Sequence, residues 1–134
     1  MNKTTIILMS CITIVSLMGC KKEEQCGVKS GGNGFVPSVD KPVMFWLDHD
    51  HKAGKLTITS MVRHKTGQEE SYSGWAQILQ YYNSQPECGA SGVAQISIDK
   101  GQQYDYTFTG EDGRTFTGSF ATDCTDDCQA VLVQ

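Results

Sequence analysis

An all-β fold, a small antiparallel sandwich of about seven strands, follows from three features of the sequence. Apolar and polar residues alternate with a period of two through the second half, as in Tyr104-Asp105-Tyr106-Thr107-Phe108. Turn-forming residues recur about every 8–12 positions. No long window carries the 3.6-residue apolar period of a helix. The 134 residues suffice for one small domain. Net charge is −4 and falls to −5 without Lys3, so the basic face needed by a nucleic-acid binder is not expected.

The first strand is the apolar run Val43-Met44-Phe45-Trp46-Leu47, followed by the polar loop Asp48–Gly54. Lys55 to Val62 alternates, with Leu56 and Ile58 on one face. Arg63 to Ser73 is a polar excursion. Trp75 to Tyr82 fits either a strand or a two-turn helix; Gly74 before it and Asn83-Ser84-Gln85-Pro86 after it favour a strand. That strand would put Ala76, Ile78, Gln80 and Tyr82 on one side, and Trp75, Gln77, Leu79 and Tyr81 on the other. Ala94, Ile96 and Ile98 share a face of the next strand. Tyr104, Tyr106 and Phe108 define another, and Phe116, Gly118 and Phe120 a further one. Gly110-Glu111-Asp112-Gly113 between those two predicts a hairpin, because Asp-Gly supplies the positive φ of a tight turn. Ala130 to Val133 is the last strand.

Residues 1–19 read as a leader. Lys3 precedes the uncharged run Ile6 to Gly19, too short for a hydrocarbon core of about 30 Å. Leu17-Met18-Gly19-Cys20 resembles the bacterial lipobox. The resemblance implies cleavage before Cys20, a diacylglyceryl group on its sulfur and an acyl chain such as palmitate on its amine. Each buried methylene contributes about 0.8 kcal/mol, so two or three chains hold a protein on a bilayer. No Asp follows Cys20, and Lys21-Lys22-Glu23-Glu24 resembles the surface-export signal of some Bacteroidetes lipoproteins. A solvated linker start is the plainer alternative for those four residues. Residues 20–40, with Ser30-Gly31-Gly32-Asn33-Gly34, form a flexible spacer, and the domain spans 41–134. The expected location is the bacterial envelope, at the outer membrane, with the membrane contacted through lipid on Cys20.

Cys11 leaves with the leader. Cys26, Cys88, Cys124 and Cys128 remain, and four cysteines in an exported domain predict two disulfides. Three pairings are open. Cys124 and Cys128 would close only a tight loop, so Cys88 is expected to bond one of the two; Cys128 is favoured over Cys124, which would leave Cys26 for Cys124. A zinc site is the alternative, but no Cys-x-x-Cys is present.

Pro86-Glu87-Cys88-Gly89-Ala90-Ser91-Gly92, then Gly101-Gln102-Gln103-Tyr104-Asp105-Tyr106, Thr117-Gly118-Ser119-Phe120 and Cys128 to Val133 form an ordered set. The set resembles the carboxypeptidase-regulatory, or transthyretin-like, β-sandwich modules over residues 43–134, most closely over 86–134. The resemblance implies a structural fold and no catalytic residues. Those modules often carry a second cysteine where this chain has Val93.

Asp48-His49-Asp50-His51 is the most reactive stretch. If extended, it would put His49 and His51 on one side to begin a zinc or copper site, with His64 as a third nitrogen. A solvated loop is the plainer reading. Asp123, Asp126 and Asp127 could gather on Ca²⁺, although their spacing matches no calcium loop. No nucleophile elbow or phosphate-binding glycine loop appears. Trp46, Trp75, Tyr81 and Tyr82 suit a carbohydrate- or protein-binding face, or the packing of a small sandwich. The expected function is a non-enzymatic binding or scaffold module, recognising a protein or glycan through the Asp48–Gly54 and Arg63–Ser73 loops. The alternative is a metal-binding sensor or hydrolase using the Asp48–His51 loop.

Overall fold

The computed structural model describes Cys26, residues 40–51 and residues 54–134. The leader, Cys11, Cys20 and the Ser30–Gly34 spacer lie outside the described residues. Eight strands among the described residues form two four-stranded sheets. In the first, β1 (Asp40–Trp46), β3 (Ser73–Trp75), β5 (Ala94–Asp99) and β8 (Gln129–Leu132) take the order β3-β5-β1-β8. In the second, β2 (Leu56–Arg63), β4 (Gln77–Ile78), β6 (Gln103–Gly110) and β7 (Thr115–Ala121) take the order β4-β2-β6-β7. The all-β sandwich expected from the alternation is the fold. Among the described residues, no helix is long and apolar enough to cross a membrane.

Two features depart from the expected pattern. Pairing is antiparallel except between β1 and β8, which run parallel. The loop between β7 and β8 is fastened beside the start of β1, so β8 has to set out in the direction of β1. The expected strand from Trp75 to Tyr82 is neither one strand nor a helix. Trp75 pairs with Gln95 in the first sheet, and Gln77 pairs with Thr57 in the second. The chain changes sheets at Ala76, whose carbonyl accepts the Ile58 N–H at 2.9 Å. Gly74 permits the approach to β5: its φ is +119°, and a Cβ there would lie 2.3 Å from the Gln95 carbonyl oxygen.

The alternation reappears as burial. Tyr104, Tyr106 and Phe108 on β6 turn into the sandwich, opposite Val43, Phe45 and Leu47. The Phe45 ring meets Tyr106, Phe108 and Phe120 edge-on, with centroids 5.2–5.3 Å apart. Gly118 is needed because a Cβ there would meet the Tyr106 hydroxyl at 2.4 Å. A bulge between Ile58 and Ser60 makes Met61 the next inward residue of β2. The hairpin turn forms as expected, with Gly113 at φ +82°.

β1 is buried on its other face too. Met44 and Trp46 point away from the sandwich into a second cluster with Val93, flanked by Tyr82, Ala90, Cys128, Ala130 and Leu132. The segment from Leu79 to Gly92 therefore lies over the first sheet as a cover. The cysteines pair Cys88–Cys128 and Cys26–Cys124. The first bond ties the cover to the start of β8.

The inward row of β1 begins with Lys41, only 1% exposed. Its Nζ donates to Asp123 Oδ1 (2.5 Å), Thr125 Oγ1 (2.7 Å) and the Thr125 carbonyl (3.1 Å). All three ammonium protons have acceptors, as a buried charge requires. The same contacts hold the loop carrying Cys124. They pull the Asp123 carboxyl down from 3.8 to about 2, the Lys41 hydrogen bond foremost and those from Thr125 next.

A carboxyl with a lowered folded pKa adds stability above its unfolded pKa and loses it as pH falls through the folded value. Asp105, Asp112 and Asp126 are lowered as well, so a variant isolates the Asp123 part. Urea denaturation of Asp123→Asn should show a loss of about 1–3 kcal/mol at pH 7, since the Lys41 charge stays buried without its counter-ion. Its stability should also decline less steeply than wild type between pH 4 and pH 2. Parallel declines would rule out this role for the pair.

Candidate functional site

Most large apolar side chains of the domain are buried; Trp75 (54% exposed), Leu79 (51%) and Tyr81 (44%) are not. All three belong to the row of alternate residues that the sequence sets on one side of its expected strand. That row keeps its outward direction although the strand is broken, because Ala76 and Ile78 still turn into the core.

Trp75 and Leu79 flank a shallow groove of about 430 Å³, lined also by Gly89, Ala90, Gly92, Val93 and Gln95. Its walls are built locally. The Leu79 N–H donates to the Gly92 carbonyl at 2.8 Å, and the Tyr82 N–H to the Leu47 carbonyl at 2.9 Å. Gln80 Nε2 donates to the Tyr82 hydroxyl and to the Ser91 carbonyl, both at 2.7 Å, and the Tyr82 hydroxyl donates to the same carbonyl at 2.5 Å. This network fixes residues 79–82 against 91–92, and the groove lining is mostly apolar. Gly92 is at φ +73°, and a Cβ there would stand 2.4 Å from the Gln80 Cγ.

The four aromatic candidates divide evenly. Trp46 and Tyr82 pack the second apolar cluster, whereas Trp75 and Tyr81 stay on the surface. His49 meets the Tyr81 ring edge-on at 5.4 Å. The Arg63–Ser73 loop departs from the far end of β2. There Arg63 Nε pairs with Glu70 at 2.8 Å, and the Glu70 N–H donates to the Met61 carbonyl at 2.9 Å.

His49 and His64 do not converge. Residues 49–51 form a 3-10 turn, closed by the Asp50 N–H on Asp48 Oδ1, so the extended backbone assumed for His49 and His51 is absent. His64 follows the last residue of β2, and the Asp48–Gly54 loop precedes its first. Eight residues of strand separate them, about 25 Å. His64 Nδ1 lies 2.8 Å from Asp105 Oδ1, to which Ser119 Oγ donates at 2.5 Å. The carboxylate stands in the middle of this trio, so the imidazole is not placed to take the serine proton, as a nucleophilic triad requires. The Ser119 and His64 hydrogen bonds hold the Asp105 carboxyl below its usual value.

Two of the three acidic candidates are likewise committed. Asp123 is bound by Lys41, and Asp126 pairs with Lys100. No group of three metal-ligating side chains occurs among the described residues. Sequence reasoning missed the Lys41–Asp123–Thr125 contact, since a lysine heading an apolar strand reads as its solvated end. It also missed that Gly89, Ala90 and Gly92 line a groove with Trp75 and Leu79.

Comparison of the chain with protein-family models, with curated proteins and with solved structures gave no match.

The Gly92 geometry predicts a specific defect. Gly92→Ala should destabilise the domain by about 1–3 kcal/mol, through the positive φ and the collision with Gln80. Measured against Gln80→Ala alone, which already lacks the Gln80 hydrogen bonds, the double variant should recover only part of the loss, because the backbone strain persists. Full recovery in thermal denaturation would assign the whole defect to the side chain and contradict the strain argument.

Proposed function

We propose that this chain is a lipid-anchored module of the bacterial envelope that binds a protein or glycan ligand without catalysis. The observation that carries the reading is the exposed pair Trp75 and Leu79 lining a shallow groove with Gly89, Ala90, Gly92, Val93 and Gln95. Large apolar side chains left in water around a concave surface favour a ligand that covers them. An exposed indole beside small residues suits a sugar ring or an aliphatic side chain. Gln95 supplies a polar side chain in the lining. The anchor rests on Leu17-Met18-Gly19-Cys20, and two disulfides accord with an oxidising compartment. In this reading the sandwich is a rigid display scaffold, as the resemblance to carboxypeptidase-regulatory modules implies.

Calorimetric titration of the detergent-extracted full chain against envelope and host oligosaccharides and peptides tests the groove. A saturable heat is expected that weakens at least about tenfold in Trp75→Ala and in Leu79→Ala, with melting unchanged. Binding indifferent to both substitutions would remove the groove from the reading. Intact mass of the same material tests the anchor: a mature chain beginning at an unlipidated residue would remove the tether.

A further inference from the structure

The two sheets end in edges of unequal length. β3 and β4 have three and two residues and β8 has four, whereas β7 has seven. Short edge strands offer little to a passing chain; long, flat, uncharged ones are templates for pairing. β7 is Thr115-Phe116-Thr117-Gly118-Ser119-Phe120-Ala121, with no charge, no proline and no bulge against β6.

The backbone direction of β7 follows from its pairing. The Gly110 N–H donates to the Arg114 carbonyl at 2.8 Å, and the Thr122 N–H to the Gln102 carbonyl at 2.8 Å. In an antiparallel ladder hydrogen-bonded pairs alternate with non-bonded ones. Phe116, Gly118 and Phe120 therefore bond to β6, and Thr115, Thr117, Ser119 and Ala121 turn their N–H and C=O groups outward. No strand pairs with that edge among the described residues. Gln129 Nε2 donates to the Ala121 carbonyl at 2.7 Å, and a carbonyl keeps a second lone pair.

We propose that the β7 edge is the interface of a homodimer, in which two copies pair their β7 strands antiparallel about a two-fold axis through Gly118. The occupant is a second copy because the strand is complementary to itself. The register that uses all four outward residues sets Thr115 opposite the partner's Ala121 and Thr117 opposite the partner's Ser119. At the intervening positions, where side chains approach most closely, Phe116 faces the partner's Phe120 and Gly118 faces its own copy. Phe116 is half-buried in the single chain and gains cover there. Arg114, just before β7, and Asp123, just after it, are held within their own chain by Asp112 and Lys41, so the pairing sets no unneutralised like charges against each other at either end. The pairing is isologous and closed, joining two four-stranded sheets into one of eight.

Sedimentation of the full chain in a density-matched mild detergent tests the interface. Wild type is expected to be a dimer with reversible, concentration-dependent dissociation. Thr117→Pro removes an outward N–H without touching the β6 ladder, and should weaken the dimer at least about tenfold. If that variant fails to fold, Thr117→Lys with Ser119→Lys gives the same reading by setting like charges opposite each other across the axis. Wild type that stays monomeric over the whole concentration range overturns the proposal. So does a dimer that survives the folded edge variants, which would indicate co-micellisation or another surface.

Discussion

Burial of β1 on both faces is the constraint on which the rest of this structure depends. A strand in a two-layer sandwich ordinarily shows one face to the core and one to water. β1 sends Val43, Phe45 and Leu47 into the sandwich, and Met44 and Trp46 the other way. Fully burying a side chain of that size contributes about 1.5–3 kcal/mol, so leaving Met44 and Trp46 wet would forfeit a large share of a small domain's stability. A third layer is therefore required over the first sheet. The Leu79–Gly92 segment and Val93 after it supply that layer, with Val93, Ala90 and Tyr82 against Trp46 and Met44. The same segment builds the groove, so the candidate site is the outer surface of a layer that exists to cover β1.

The two disulfides and the buried lysine secure the ends of this arrangement. Cys88–Cys128 closes the cover onto β8, the parallel neighbour of β1. Cys26–Cys124 and the Lys41 ammonium both fasten the loop between β7 and β8 near the start of β1. That fastening dictates the parallel direction of β8. A short domain with a lean core gains most from staples of this kind, which restrict the unfolded chain rather than add contacts.

Much of the fold is legible in the sequence because alternation and burial are the same fact in a sandwich. Tyr104, Tyr106 and Phe108 alternate, and all three are core. Asp112-Gly113 marks its hairpin because few other dipeptides accept the required φ. The run Val43–Leu47 also carries its message, since five consecutive apolar residues in a strand imply burial on both faces. The break at Ala76 was not legible. It depends on Gly74 approaching β5 from another part of the chain, and no local pattern encodes a change of sheet. The site was half legible: alternation gives the outward direction of Trp75, Leu79 and Tyr81, whereas Trp46 and Tyr82 are of the same chemical type and are separated from them only by tertiary packing. The histidine grouping failed because nearness in sequence, as for His49, says nothing of His64 at the other end of an eight-residue strand.

The stapled cover is tested most directly by the solvent access of Trp46. In a Trp75→Phe background Trp46 is the sole indole, and it is 8% exposed. With the disulfide intact, its emission should be blue and nearly immune to acrylamide quenching. When Cys88 and Cys128 are both changed to Ala, β-sheet circular dichroism should persist while the emission shifts to the red and quenching rises severalfold, as the cover lifts from β1. Trp46 emission that stays blue and protected in the disulfide-free, folded protein would contradict the account.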